Sequence, residues 1–384
     1  MTILNSRNKI FRFYRVAATV VLAFLCLETG PASVVAQEAT GRKNFEILET
    51  VIRYIKADYI EEPDAKKTMN GALQGLVNSL DVLSAYLDKA GAAKYALSQK
   101  RPLNAPGVIL FKHAGAFPLV VGVVENSPAA KAGVRMGDYL STVNNESVLV
   151  WSLSEINLAL EDEGEAPVKL RVIHENATRA ISVERAALYP RPVTLTAQPQ
   201  TSGVVKVHHL NAPLVSEFKT TILPKLKDAK APLILDLRDC YQGNIDEARA
   251  FLNLFLKADK AGSFEVKGGA EEPIACPDRA PLETLSVAVW VNPATMGPAE
   301  VVAAVLKDLK KAKVVGLPTP GLASRQEIYP LNSGDAILLT TGVFRTASGE
   351  RVWGKGVSPD IKLDLDKTDT KAYLDKTLAA FAGR

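Results

Sequence analysis

Residues 286–310 read SVAVWVNPATMGPAEVVAAVLKDLK, an apolar strand over Ser286–Val291 followed by a helix near Pro298–Lys310. The same alternation extends toward the N-terminus. Strand candidates Val204–Leu210 and Leu233–Leu237 are each followed by a helical stretch, near Leu214–Leu226 and Asp246–Leu256. Strands that alternate with helices in this way imply an α/β domain around a largely parallel sheet.

Further upstream, between about Leu103 and Ala186, the texture is different. Val108–Phe111, Leu119–Val124, Tyr139–Val143 and Val168–Ile173 are short strand candidates separated by turn residues. Ser127–Gly133 (SPAAKAG) reads as a small helix, with Pro near its start and Gly at its end. Ser152–Glu161 reads as a second helix, with Ser152 or Ser154 as N-cap. Tyr189–Pro192 (YPRP) is a stiff connector. Residues 44–100 read as helical, because Phe45, Leu48, Val51, Ile52, Ile55 and Tyr59 recur at three- and four-residue intervals. Pro63-Asp64 breaks that helix, and Met69, Leu73, Leu76, Val77 and Leu80 repeat the pattern beyond it. The segment closes on Leu80–Leu87 (LDVLSAYL).

With 384 residues, 47% hydrophobic and 23% charged, the composition is that of a soluble globular protein with more than one core. The net charge of +4 is concentrated at the start. Arg7, Lys9, Arg12 and Arg15 face only Glu28 within residues 1–36, so this leader alone carries +3 of it. That distribution argues against a nucleic-acid surface. Val16–Leu27 is an uncharged apolar run of twelve residues, short of the roughly 20 that a bilayer-spanning helix needs. Val34-Val35-Ala36 then offers small residues for cleavage before Gln37, so the leader reads as a secretory signal. Leu25 before Cys26 is unsuited to lipid attachment. An uncleaved anchor is the alternative, and either way the body is exported, to the periplasm or cell envelope. The mature part retains Cys240 and Cys276, open to a disulfide or to two buried thiols. There is no HExxH and no Cys/His cluster among His113, His174, His208 and His209, so no metal site and no cofactor are expected. His208-His209 sits in an apolar run and reads as structural.

Residues 103–187 resemble a PDZ domain of bacterial envelope proteases, on Ser127-Pro128-Ala129-Ala130-Lys131-Ala132-Gly133-Val134-Arg135-Met136-Gly137-Asp138 and on Val143–Val148 (VNNESV) after it. In such a module a ligand tail pairs as an extra strand, and backbone N–H groups of a glycine-containing loop hold its carboxylate. The resemblance places that loop and strand at Pro106, Gly107, Val108, Ile109 and Leu110, and the facing helix at Ile156 and Leu160. The competing reading makes these apolar positions plain core. The mature chain as a whole resembles the C-terminal processing (tail-specific) peptidases. Leu80–Leu87 matches their LDPHSSYL-like motif, and Leu233–Arg238 (LILDLR) matches the strand before their NPGG loop. Val291-Asn292, Ala299-Glu300 and Val314-Val315-Gly316 frame their nucleophile helix and the next strand, and Gly354–Ile361 (GKGVSPDI) matches their closing segment. The fold class so implied is α/β (α+β overall): helices over 37–102, the PDZ domain, a crotonase/Clp-protease-like α/β spiral domain over 188–366, and a C-terminal helix over 367–384.

Members of that family cut with a Ser–Lys dyad, in which the hydroxyl attacks and a desolvated Lys takes the proton. The resemblance maps the nucleophile position to Gly297 and the base position to Leu322 in Gly321-Leu322-Ala323. Gln326 matches the supporting Gln. The oxyanion loop reads Cys240-Tyr241-Gln242-Gly243, with Gln242 in place of the first Gly. The expectation is a proteolytically inactive homologue that binds protein C-terminal tails or unfolded peptides, with an active relative or an envelope adaptor as a further partner. No nucleic acid is expected, and membrane contact only through an uncleaved leader. The rival is an active serine-type endopeptidase using a displaced nucleophile, Thr295 or Ser324. Lys355 belongs to a framework motif and needs no catalytic role. A third reading leaves a purely structural partner of an envelope assembly.

Overall fold

The computed structural model describes residues 31–101, 103–189, 191–365 and 368–382. The basic residues and the apolar run of the leader lie outside them. Two compact units divide the chain, residues 1–69 and 70–384. In the first, α1 (Pro31–Asp58) is a single helix, on which Phe45, Leu48 and Val51 are exposed. It ends before Pro63, and Asp64 accepts the amides of Lys66 and Lys67 to start α2 (Ala65–Asn78). Among the described residues no helix is long and apolar enough to cross a membrane.

The expected helix through 100 is interrupted. LDVLSAYL instead forms a loop and a strand, β1 (Ala85–Leu87), before helix α3 (Lys89–Ser98). Asp81 causes the break. Its carboxylate accepts the amides of Leu83 and Ser84 and the Ser84 hydroxyl, a local arrangement that competes with helix. Ser84 Oγ also accepts the Thr340 amide, pinning the motif to a strand more than 250 residues away in sequence.

The PDZ sheet runs β2-β3-β4-β6-β7, from Val108–Phe111, Leu119–Val123, Tyr139–Val143, Val168–His174 and Ala177–Val183. Its last strand was not anticipated, because the Ala177–Val183 edge is mostly exposed and carries no apolar run. β5 (Glu146–Ser147) returns from β4 through Asn144-Asn145, both at positive φ, the residue type such a hairpin requires. α4 (Pro128–Lys131) is capped by Ser127. α5 (Leu153–Leu160) is capped by Ser152, whose hydroxyl accepts the Glu155 amide while Glu155 accepts the Ser152 amide. Ser154 is not the cap; its hydroxyl donates to Leu83 O at 2.6 Å.

The α/β domain has a six-stranded sheet in the order β17-β14-β13-β10-β9-β8, from Ile361–Lys362, Lys313–Gly316, Val287–Val291, Leu233–Asp236, Val204–Val207 and Val193–Thr196. All its pairs are parallel except β8 with β9. One face packs α6 (Leu214–Glu217), α7 (Leu223–Leu226), α8 (Ile245–Leu252) and α9 (Pro298–Asp308) around Phe218, Phe251 and Phe255. A π turn, Phe218–Ile222, joins α6 to α7. The other face is covered by α10 (Thr370–Ala382). There the Arg238 guanidinium lies over both the Trp290 and the Tyr373 ring, 4.9 and 4.5 Å from their centroids, while the two rings touch each other and its nitrogens bond Asp236.

A second, antiparallel sheet has no counterpart in the sequence reading. It runs β1-β16-β11-β12, with β15 on β16, from Ala336–Thr346, Ala258–Val266, Glu271–Cys276 and Ser324–Pro330. Cys240 and Cys276 are free and buried, so no disulfide pins the oxyanion loop. Burial pushes the Cys240 thiol up to about 12.

Candidate functional site

β13 ends at Val291, and a turn carries the chain into α9. Asn292 holds this turn to the strand beside it. Its Oδ1 accepts the Asp239 and Ala294 amides, and its Nδ2 donates to Asp239 Oδ1. Thr295 is sealed inside the turn, its hydroxyl donating to Leu237 O at 2.9 Å and accepting from the Asn292 amide. The Met296 amide donates to Cys240 O, which ties the turn to the oxyanion loop.

Gly297 then takes φ 57°, ψ −117°, a conformation that strains any residue with a side chain. A Cβ placed there meets no atom closer than Leu322 O, at 3.9 Å. The two positions at which the family resemblance expects nucleophile and base thus lie close together, through the Leu322 carbonyl. Spacing alone could not establish that.

Glu300 holds them together. Fully buried in the first turn of α9, its carboxylate accepts from the Thr319 hydroxyl (2.5 Å) and from the amides of Gly321 (2.6 Å), Leu322 (2.6 Å) and Gly297 (3.0 Å). Burial pushes its pKa up to about 7 against the pull of those four donors. The sequence showed this Glu as a motif letter, not as a clamp, because three of its partners are backbone amides.

Leu322 itself is 7% exposed and belongs to an apolar cluster with Ala294, Met296 and the PDZ core. Ser324 is largely buried, with Oγ donating to Leu322 O at 3.3 Å. Gln326 Nε2 donates to Leu83 O of the LDVLSAYL loop. Lys355 is exposed on its turn and does not reach the site. In the oxyanion loop, Gln242 turns aside and its Nε2 donates to Glu161 at the end of α5. Glu161 is pushed up to about 7, chiefly by burial. Gly243 tolerates no substitution, since a Cβ would lie 2.5 Å from that of Leu210. His208 and His209 lie elsewhere. His208 stacks on Tyr189 and bonds Thr194, and burial with the nearby Lys206 cation pushes its pKa down to about 4.

Gly297, Leu322, Ser324 and Gln326 line one cavity of about 730 Å³, together with Tyr241 and Gly243 of the oxyanion loop. The PDZ domain supplies part of its wall through Leu110 of β2 and through Leu153, Ser154 and Asn157 of α5. No lysine or histidine lines it among the described residues. The remaining peptide-binding positions expected from the sequence are core. Gly107, Val108, Ile109, Ile156 and Leu160 are all buried, and Ile109 and Ile156 are wholly inaccessible. Gly107 O is engaged by the Val124 amide. Of the expected strand and helix positions, only Leu110 lines the cavity.

Residues 201–363 match peptidase family S41, and residues 119–173 match a PDZ domain. The chain is 27% identical over 372 residues to the carboxy-terminal processing protease CtpA of Bacillus subtilis (strain 168), across 96% of this chain and 79% of that protein. It is 26% identical over 341 residues to a probable CtpA-like serine protease of Staphylococcus aureus (strain COL), across 88% and 68%. Among solved structures, the photosystem II D1 C-terminal processing protease superimposes with a TM-score of 0.69 at 23% identity, covering 86% of this chain and 90% of that one, which shows a shared fold. Both matched segments lie in order along one α/β chain: residues 201–363 carry the likeness to peptidase family S41, residues 119–173 the likeness to a PDZ domain, and the chain along most of its length is similar to C-terminal processing proteases.

Proposed function

We propose that this protein binds peptide tails in the cavity between its PDZ domain and its degenerate catalytic turn, and does not cleave them. One observation carries the reading. Gly297 and Leu322, where the resemblance expects nucleophile and base, are brought close by Glu300, which accepts both their amides, and neither side chain can perform the chemistry. Glycine has no nucleophile and leucine accepts no proton. Losing the nucleophile alone costs a serine protease about 10⁶ in kcat. The cavity beside them is retained, with apolar walls at Leu83, Leu110, Leu153, Met296 and Ile274 and polar groups at Asn157, Gln99 and Gln326.

A displaced nucleophile has weaker support. Thr295 is absent from the cavity wall and bonded on both sides. Ser324 does line the cavity, but its hydroxyl points back to Leu322 O, and among the described residues no lysine or histidine lines the cavity to act as base. Export to the periplasm or cell envelope is part of the same proposal and rests on the basic, apolar leader ahead of residue 31. The test mixes purified protein with an unstructured, apolar-tailed protein. Retention of that protein with its mass unchanged supports the reading, and its fragmentation removes it.

A further inference from the structure

A tail-binding PDZ domain normally grips the terminal carboxylate with loop amides, but here the strand beyond Gly107 is buried. A carboxylate entering the cavity needs another partner. The charged side chains on the wall are Asp246, Arg249, Glu272 and Arg325. Arg325 is already neutralised, because Nη1 bonds Glu272 and Nε lies 3.4 Å from Glu327. Asp246 sits in the first turn of α8, where the free amides of the helix start favour a carboxylate. Arg249, one turn further on, is exposed and makes no ion pair and no side-chain hydrogen bond among the described residues. Its backbone is fixed by the helix, and its carbonyl lies 3.9 Å from the buried Cys276 sulfur.

We infer that Arg249 is the carboxylate anchor of this cavity, pairing with an anionic group of a peptide whose apolar residues lie along the walls. The inference rests on the proposed peptide-binding reading and adds its specificity. A guanidinium presents two parallel N–H donors that match a carboxylate, and the source is either the α-carboxylate of a chain end or an Asp or Glu side chain. A neutral or amidated ligand leaves Arg249 solvated and gains nothing from it.

The experiment is fluorescence anisotropy with a short labelled peptide ending in Ala-Val-Leu, as free acid, as C-terminal amide, and as an amide with one internal Glu. For the native protein the free acid, the Glu-containing amide, or both should bind about three- to thirtyfold more tightly than the plain amide. Which of them does so identifies the source of the carboxylate. Arg249→Gln should erase that difference, Arg249→Lys should keep part of it, and added salt should shrink it. Because the side chain is exposed, both variants should unfold at the urea concentration of the native protein. If native and Arg249→Gln proteins bind the free acid and the Glu-containing amide equally well, the anchor is wrong while peptide binding stands. If the native protein binds none of the three peptides, peptide binding itself is wrong and the anchor falls with it.

Discussion

Replacing Glu300 probes the clamp that holds Gly297 and the Gly321-Leu322 turn together. The carboxylate is wholly buried and accepts four hydrogen bonds, two at each oxygen: Thr319 and Gly321 at Oε1, Gly297 and Leu322 at Oε2. Glu300→Gln keeps one accepting oxygen and turns an NH2 group toward two donors. Each buried donor left without an acceptor costs about 1–3 kcal/mol. Removing a buried charge returns part of that, so the net loss should be about 2–4 kcal/mol. Glu300→Ala strands all four donors and leaves a void, so its loss should exceed that of Glu300→Gln, at about 4 kcal/mol or more. Against a total stability of about 5–15 kcal/mol both are large effects. Urea unfolding followed by circular dichroism gives the midpoint shift at constant slope. A Glu300→Gln protein within about 0.5 kcal/mol of the native one would refute the clamp.

Two further substitutions follow from the same geometry. Gly297→Ser has room for its Cβ but must hold φ 57°, ψ −117°, so the variant should fold normally and lose about 1–3 kcal/mol in urea unfolding. His208 is held neutral in the fold, with its pKa down at about 4 from 6.5. On acidification the unfolded chain takes up a proton before the folded one does. Its contribution is therefore complete above pH 6.5 and lost as the pH falls toward about 4, and His208→Phe should flatten that part of the stability–pH curve.

Some of this was legible because it is local. Strands β2, β3, β4, β6, β10 and β13, the capped helix α5 and the α9 helix announce themselves by apolar runs and capping residues. Gly297 and Leu322 are expected at their sites from their offsets to Glu300 and to the preceding Val314–Gly316 strand, and the fold brings the two residues close, with Leu322 O 3.9 Å from where a Gly297 Cβ would lie. What escaped is long-range. β11, β12, β15 and β16 include polar, glycine- and proline-containing segments such as ADKAGSFEV and EEPIAC, which become strands only by pairing with one another. LDVLSAYL looked like the end of a helix because its partner Leu338 lies far along the chain. The expected PDZ groove residues do lie on a strand and a helix, but whether such residues face a groove or a core depends on packing. Here most of them face the core. Arg249 gave no signal at all, since an unpaired cation is recognised only once its neighbours are placed.

The proposed function requires that the protein bind a tail and leave it whole. Intact-mass spectrometry over several hours, on the native protein mixed with an unfolded apolar-tailed substrate, tests it directly. The substrate should keep one unchanged mass and still be captured by the protein. Fragments that appear with the native protein and vanish with Ser324→Ala or Thr295→Ala would contradict it and assign the cut to that hydroxyl.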